Sequence, residues 1–333
     1  MLNFCTLFDI NFTSQGLLMY ESLKRHCASD FMLYIFAFCN ESYNFLKSLN
    51  LDNVKVISLD ELEEGIPALK EAKKDRTKGE YCWTCGSASI KYCIEKFNLD
   101  QCTYLDSDIY FYSDPKILLD EMKDKSVLIT EHRYTPKYDQ TATSGKYCVQ
   151  FVSFKNDKRG MTVLNWWVDR CIEWCYARFE DGKFGDQKYL DDWTERFEGV
   201  HVLEHLGGGV APWNIQQYKI SEKDNKIVLN NDIPLIFYHF HNIKVLNNGN
   251  LNVLALRAYN FDKLAQNLIY KPYVKDLAIK SNELHKLNKN IIIIKNHLPK
   301  IDWKYEFNKI RKSIIQIKFG KNKHLVLFGK QIY

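Results

Sequence analysis

Apolar and polar positions along the chain fall into blocks whose period switches repeatedly between strand-like and helix-like. Residues 4–8 form a short apolar run of the kind that makes a buried strand. After a loop over 9–16, Leu17, Leu18, Tyr20 and Leu23 recur at helical spacing. The pattern continues with a strand over 31–39, a helix over 41–49, a strand over 54–59 and helical composition over 60–76. A helix over 81–97 and strands over 102–105 and 127–130 extend it. Such alternation predicts an α/β domain on a mostly parallel sheet covered by helices on both faces, with ligands at the carboxyl ends of the strands. A polar loop over 131–146 then leads to a strand over 147–154, which makes a mixed sheet plausible. Leu164, Trp167, Val168, Cys171, Ile172 and Cys175 place a core helix within 161–178. Beyond about residue 250 the β character fades until near the end, and 259–287 reads as one or two helices.

Composition narrows the class. The chain has 333 residues, 46% hydrophobic and 26% charged, which is the balance of a folded protein and excludes a disordered or collagen-like one. No apolar run approaches the ~18 residues that span a bilayer, and residues 1–8 carry no basic region or cleavage site of a secretory leader, so a cytoplasmic protein is expected. The ten cysteines follow no disulfide framework, and the single Cys82-x-x-Cys85 pair lacks the partners of a zinc site. The net charge of +5 belongs to the tail. Residues 291–333 hold ten Lys and Arg against Asp302 and Glu306, and aromatic and basic side chains interleave there. Two readings of that tail stand side by side: a helix lying on an anionic membrane surface, and a solvated basic helix packed on the main domain. No nucleic-acid-binding motif accompanies it.

The chemistry concentrates in Asp106-Ser107-Asp108, which follows the apolar strand 102–105. Residues two apart in an extended segment point the same way, so both carboxylates face one cleft. Like charges at ~4 Å repel by about 4 kcal/mol at an effective dielectric near 20. A hard divalent cation, Mg²⁺ or Mn²⁺, removes that repulsion, and such ions commonly share their ligands with substrate phosphates. The alternative is a pair of turn-capping Asp residues.

Here the sequence resembles the GT-A superfamily of glycosyltransferases, whose Asp-x-Asp signature ends a strand of a nucleotide-binding domain. Thr103-Tyr104-Leu105-Asp106-Ser107-Asp108-Ile109-Tyr110-Phe111 carries the likeness, and the segment from Thr6 to Phe12 resembles the first nucleotide-contacting loop. The segment from Ser144 to Phe154 is similar to the donor-sugar loop and strand, and Phe184-Gly185-Asp186-Gln187 to the segment beside the reacting sugar. The run from Gly207 to Asn214 resembles the acceptor border, and Phe237-Tyr238-His239-Phe240-His241-Asn242-Ile243-Lys244 the metal-binding histidine strand.

The resemblance implies a GT-A mixed sheet flanked by helices over 1–250, with a nucleotide-binding half (1–130), an acceptor-side half (131–250) and a helical basic extension (251–333). It implies a nucleotide-diphosphate sugar donor, with UDP favoured, and a glycan or lipid-linked acceptor, as in bacterial surface polysaccharide or lipopolysaccharide synthesis. Asp106, Asp108 and His241 would hold Mn²⁺ or Mg²⁺, although the missing Gly before Lys244 leaves His239 as the alternative register. Thr6, Asp9, Arg76, Thr84, Asp106, Ser107 and Lys244 would meet the donor nucleotide. Gly145, Gln187, Trp213, Asn214 and His239 would border the sugars, and Asp186 would act as base or as oxocarbenium stabiliser. With the basic tail, the expected site is the cytoplasm or the inner face of its membrane. Two rivals remain: another metal-dependent phosphate enzyme, either a nucleotidyltransferase or a phosphatase, and a binding protein without turnover.

Overall fold

The computed structural model describes residues 1–298 and the two short strands Leu325–Leu327 and Lys330–Ile332, which pair as an antiparallel hairpin. Residues 1–297 form one compact unit, so the boundary expected near residue 250 falls inside it. Residues 299–324, the greater part of the basic tail read above as a membrane-surface or packed helix, lie outside the described residues.

The unit is built on a mixed sheet of seven strands. In chain order they are β1 (Leu2–Phe8), β2 (Phe31–Ala37), β3 (Val54–Ser58), β4 (Gln101–Leu105), β6 (Val127–Glu131), β7 (Tyr147–Lys155) and β8 (Val200–Val202), while β5 (Ile109–Phe111) stands apart. The spatial order is β3-β2-β1-β4-β7-β6-β8. The first four strands are mutually parallel, β7 runs against both β4 and β6, and β8 is parallel to β6. This is the mixed sheet flanked by helices that the GT-A resemblance implies.

Alternation along β1 divides the core. Cys5 and Leu7 face the helices Lys78–Phe97 and Lys158–Glu173, and Phe4 and Phe8 face the helix Thr13–His26. Burial on both faces is why these strands read as continuous apolar runs.

Local chemistry sets the helix ends. Thr77 and Glu80 form a reciprocal capping box, which starts the long helix at Lys78 rather than at 81. Asp157 caps the helix Lys158–Glu173 by accepting from the Gly160 N–H at 2.9 Å, and the chain leaves that helix before Trp174. The helix expected over 60–76 is divided into Leu59–Gly65 and Ala68–Ala72, with Pro67 at the break. A proline supplies no N–H to continue a helical ladder, so it opens the second helix instead.

Beyond 250, Leu251–Val253 pairs with Ile243–Val245, and a helix runs over Lys271–Leu287. Tyr273 of that helix stacks on Phe240, with ring centroids 3.6 Å apart, directly behind the histidine strand. No helix among the described residues is long and apolar enough to cross a membrane.

Candidate functional site

Beyond the ends of β1 and β4 lies a cavity of about 560 Å³. It sits at the β1–β4 pair, where the strand order β3-β2-β1 reverses direction to continue with β4, the usual place for a ligand in an open α/β fold. One wall is the turn after β4, which carries Asp106, Ser107 and Asp108. The adjoining wall is the strand Phe237–His239, which pairs antiparallel with β5 so that His239 is in register with Ile109. The Asp108 carbonyl accepts from the Phe240 N–H at 2.9 Å, which fastens the turn to the histidine strand.

That pairing selects the histidine. His239 Nε2 lies 3.1 Å from Asp108 Oδ1 and 3.7 Å from Asp106 Oδ2, and one ligand atom from each of the three residues falls within 4.8 Å of the others. His241 lines the cavity, but its Nε2 contacts the Asn242 amide at 2.6 Å. The residue that the structure brings to the two carboxylates is thus His239, the alternative register, while the favoured His241 lines the cavity beside it. The residue that sequence reasoning missed is Gln150, on β7. Its Oε1 accepts from His239 Nδ1–H at 2.7 Å, which leaves Nε2 to face the carboxylates. A histidine whose far nitrogen is fixed in this way is oriented as a metal ligand. The signal for Gln150 was available, since an amide within the apolar run Val149-Gln150-Phe151-Val152 demands a buried partner.

Electrostatics in the cluster are strongly mutual. Burial pushes the Asp106 carboxyl up to about 6; the His239 charge opposes this and Asp108 adds to it. Burial opposes ionisation of Asp108 more than any other single effect, but the His239 charge and hydrogen bond, joined by the His241 charge and a backbone hydrogen bond, together hold that carboxyl below its ordinary value. The two carboxylates in turn hold His239 well above the usual histidine range against the effect of burial. The imidazolium therefore acts as a cation between two carboxylates. Two oxygens and one nitrogen suit Mn²⁺ or Mg²⁺, and such an ion would take the place of that proton.

Deeper in the cavity is Asp186, whose carboxyl is pushed up to about 8, first by burial and then by the Asp106 charge. Its backbone carbonyl accepts from Trp167 Nε1 at 2.9 Å. It follows Gly185, whose φ of +53° places it in the left-handed region where glycine is favoured. Gln187 lines the same wall, with its amide donating to the Ser144 carbonyl at 2.6 Å. Trp213 is buried, donates to the His132 carbonyl and packs its ring 5.5 Å from both His239 and His241.

Several residues expected at the ligand lie elsewhere. Arg76 donates to the Ile172 carbonyl and sits over the Tyr176 ring, bracing two helices from outside the cavity lining. Thr84 is buried, with its hydroxyl spent on the Glu80 carbonyl. Asp9 caps the turn Ile10–Phe12 through the Asn11 N–H and pairs with Lys78. Thr6 and Asn214 are buried outside the lining, Asn214 tying the His132 and Gly209 carbonyls together. Lys244 is exposed, and Gly145 forms a turn with φ +102° beside Lys188. The cavity instead recruits Leu7, Phe12, Trp83 and Phe184 at one end, and His132, Tyr134 and Tyr259 at the other.

Gln150→Leu offers a direct check on the orienting role. The variant is expected to fold, to bind Mn²⁺ about 10–100-fold more weakly in calorimetric titration, and to leave the fold's melting cooperativity unchanged.

No protein-family model matches the chain. Among solved structures, it is similar to the galactosyltransferase LgtC in complex with donor and acceptor sugar analogues (13% identity, 80% of this chain and 99% of that one, TM-score 0.49). It is also similar to the glycosyltransferase GlyE of Streptococcus pneumoniae TIGR4 (14% identity, 90% and 66%, TM-score 0.47) and to mouse xyloside xylosyltransferase 1 (14%, 61% and 85%, TM-score 0.41). Two Bacillus subtilis (strain 168) proteins, both described as uncharacterized, are much nearer in sequence. YfnF is 31% identical over 251 residues, covering 73% of this chain and 82% of its own. YfnD is 33% identical over 266 residues, covering 78% of this chain and 83% of its own, and on that extent of shared sequence the chain belongs to the family of YfnD and YfnF.

Proposed function

We propose that the protein is a metal-dependent glycosyltransferase that moves a sugar from a nucleotide-diphosphate donor, UDP favoured, to a hydroxyl of a glycan or lipid-linked acceptor. The observation that carries this reading is the convergence of Asp106, Asp108 and His239 Nε2 at the switch point of an open α/β sheet, with Asp186 in the same cavity. Asp106, Asp108 and His239 would hold Mn²⁺ or Mg²⁺, which when bound neutralises charge developing on the departing diphosphate. Gln150 keeps the His239 nitrogen aimed at that position. Asp186 either takes the acceptor proton or stabilises positive charge on the sugar, as its ionisation state permits. The aromatic side chains lining the cavity suit the faces of sugar and base, and exclude water from the reacting bond. Surface polysaccharide assembly at the inner face of the membrane is the setting we propose, with the basic tail as the membrane contact.

The test is a thermal-shift matrix of UDP, GDP, CDP and CMP, each with Mn²⁺, Mg²⁺ or EDTA. Ligand at a hundredfold excess over its Kd stabilises the native state by about 2.7 kcal/mol. A shift of a few degrees with one nucleoside diphosphate, lost in EDTA, is the expected result. Equal melting in every well overturns the reading.

A further inference from the structure

A second cluster of ligating atoms lies in the core, away from the cavity. Cys5 is on β1, Cys102 on β4 and Cys93 on the helix Lys78–Phe97. The β1–β4 pairing puts Cys5 in register with Tyr104, so Cys102, two residues back, faces the same side of the sheet. The helix lays Ser89 and Cys93, one turn apart, over that side. The result is three fully buried, free thiols whose sulfurs all lie within 4.8 Å of one another.

We propose that Cys5, Cys93 and Cys102 form a buried three-sulfur site for a thiophilic d¹⁰ ion, Zn²⁺ or Cu⁺. With metal–sulfur bonds of about 2.3 Å, three sulfurs in a trigonal site sit about 4 Å apart, so each has to move inward by no more than about 0.5 Å. Sulfur ligands without oxygen select soft ions against the Mg²⁺ or Mn²⁺ suited to the cavity. Binding removes thiol protons. Three thiolates on Zn²⁺ leave one net negative charge and on Cu⁺ two, so burial favours Zn²⁺. Ser89 completes the surroundings. Its hydroxyl donates to the Gly86 carbonyl at 2.7 Å and its oxygen lies 3.6 Å from the Cys5 sulfur, so it accepts the Cys5 S–H. Such an ion would join β1, β4 and the helix that contributes Cys82 and Trp83 to the cavity wall, giving a structural rather than a reacting role.

Full-length protein carrying Asp108→Ala, which removes one ligand of the carboxylate site, is purified reduced from zinc- and copper-supplemented cells and washed with EDTA. Elemental analysis is expected to give close to one Zn or Cu per chain, the element found distinguishing the two ions. Refolding in Cd²⁺ is expected to give the ultraviolet thiolate-to-metal band. Adding Cys93→Ser or Cys102→Ser should cut bound metal at least about tenfold, whereas Cys171→Ser should leave it unchanged. Absence of metal and of the Cd²⁺ band in the parent protein overturns the proposal whether or not the serine variants fold. A disulfide between any two of the three, or equal loss with Cys171→Ser, overturns it as well.

Discussion

Asp108→Asn is expected to lower turnover by about 10³-fold or more, equivalent to about 4 kcal/mol of transition-state stabilisation, and to abolish the Mn²⁺-dependent thermal shift with nucleoside diphosphate. The magnitude follows from what the side chain does. Asp108 Oδ1 is the carboxylate oxygen nearer to His239 Nε2, at 3.1 Å, and it keeps its negative charge more readily than Asp106. Replacing it with a neutral amide removes half of the anionic ligation and leaves a histidine beside one carboxylate that burial pushes toward its neutral form. The backbone should not collapse, because the link between this turn and the histidine strand runs through the Asp108 carbonyl and the Phe240 N–H, neither of which changes. The melting temperature without ligand should therefore stay within a few degrees of the parent. Steady-state transfer assays and thermal shift, run on the same preparation, separate these effects. A variant retaining a tenth of parental turnover defeats the metal-dependent mechanism.

Much of this site was readable because its parts lie in continuous segments. The Asp pair follows an apolar strand, and a period-two argument suffices to place both carboxylates on one face. Asp186 was flagged by its resemblance segment, and the cavity lining contains it. What could not be read was the pairing between β5 and Phe237–His239, residues more than a hundred positions apart in sequence. Three-residue strands carry almost no periodic signal, and only their mutual register decides which of two same-face histidines meets the carboxylates.

The expected donor contacts that lie outside the cavity lining have a different cause. Thr84 and Asp9 spend their polar groups locally, on the preceding turn and on a capped turn with Lys78, whereas Arg76 is drawn to the Ile172 carbonyl on a distant helix end. Composition reveals such groups but not whether a local partner has claimed them. The chain beyond 250 illustrates the same limit. Its helix Lys271–Leu287 looks separable by composition, yet Tyr273 stacks on Phe240 and Lys280 pairs with Glu21 at 2.5 Å, so this helix is part of the domain carrying the site.

Asp186→Asn is expected to cost about 10²–10⁴ in turnover while making the ligand-free protein more stable at neutral pH. The two effects have one origin. In the folded protein the carboxyl is pushed up to about 8 from an ordinary value of 3.8, by burial first and the Asp106 charge second. A raised acid binds its proton more tightly when folded than when unfolded. Its stabilising contribution is therefore complete below about pH 4 and is lost progressively as pH rises toward 8. The amide mimics the protonated carboxyl at every pH, so the variant should match the parent near pH 4 and exceed it by about 1–3 kcal/mol at pH 7, a few degrees in melting temperature. Divalent ion and nucleotide should narrow that gap in the parent, because cation charge on Asp106 relieves part of the repulsion on Asp186. The position would then be one where a buried acid that costs the resting fold stability at neutral pH is retained for what it does to the bound sugar. Chemical denaturation of both proteins at pH 4, 6 and 8, paired with transfer assays, decides the matter. Parallel stability curves, or a variant as active as the parent, would assign Asp186 to packing alone.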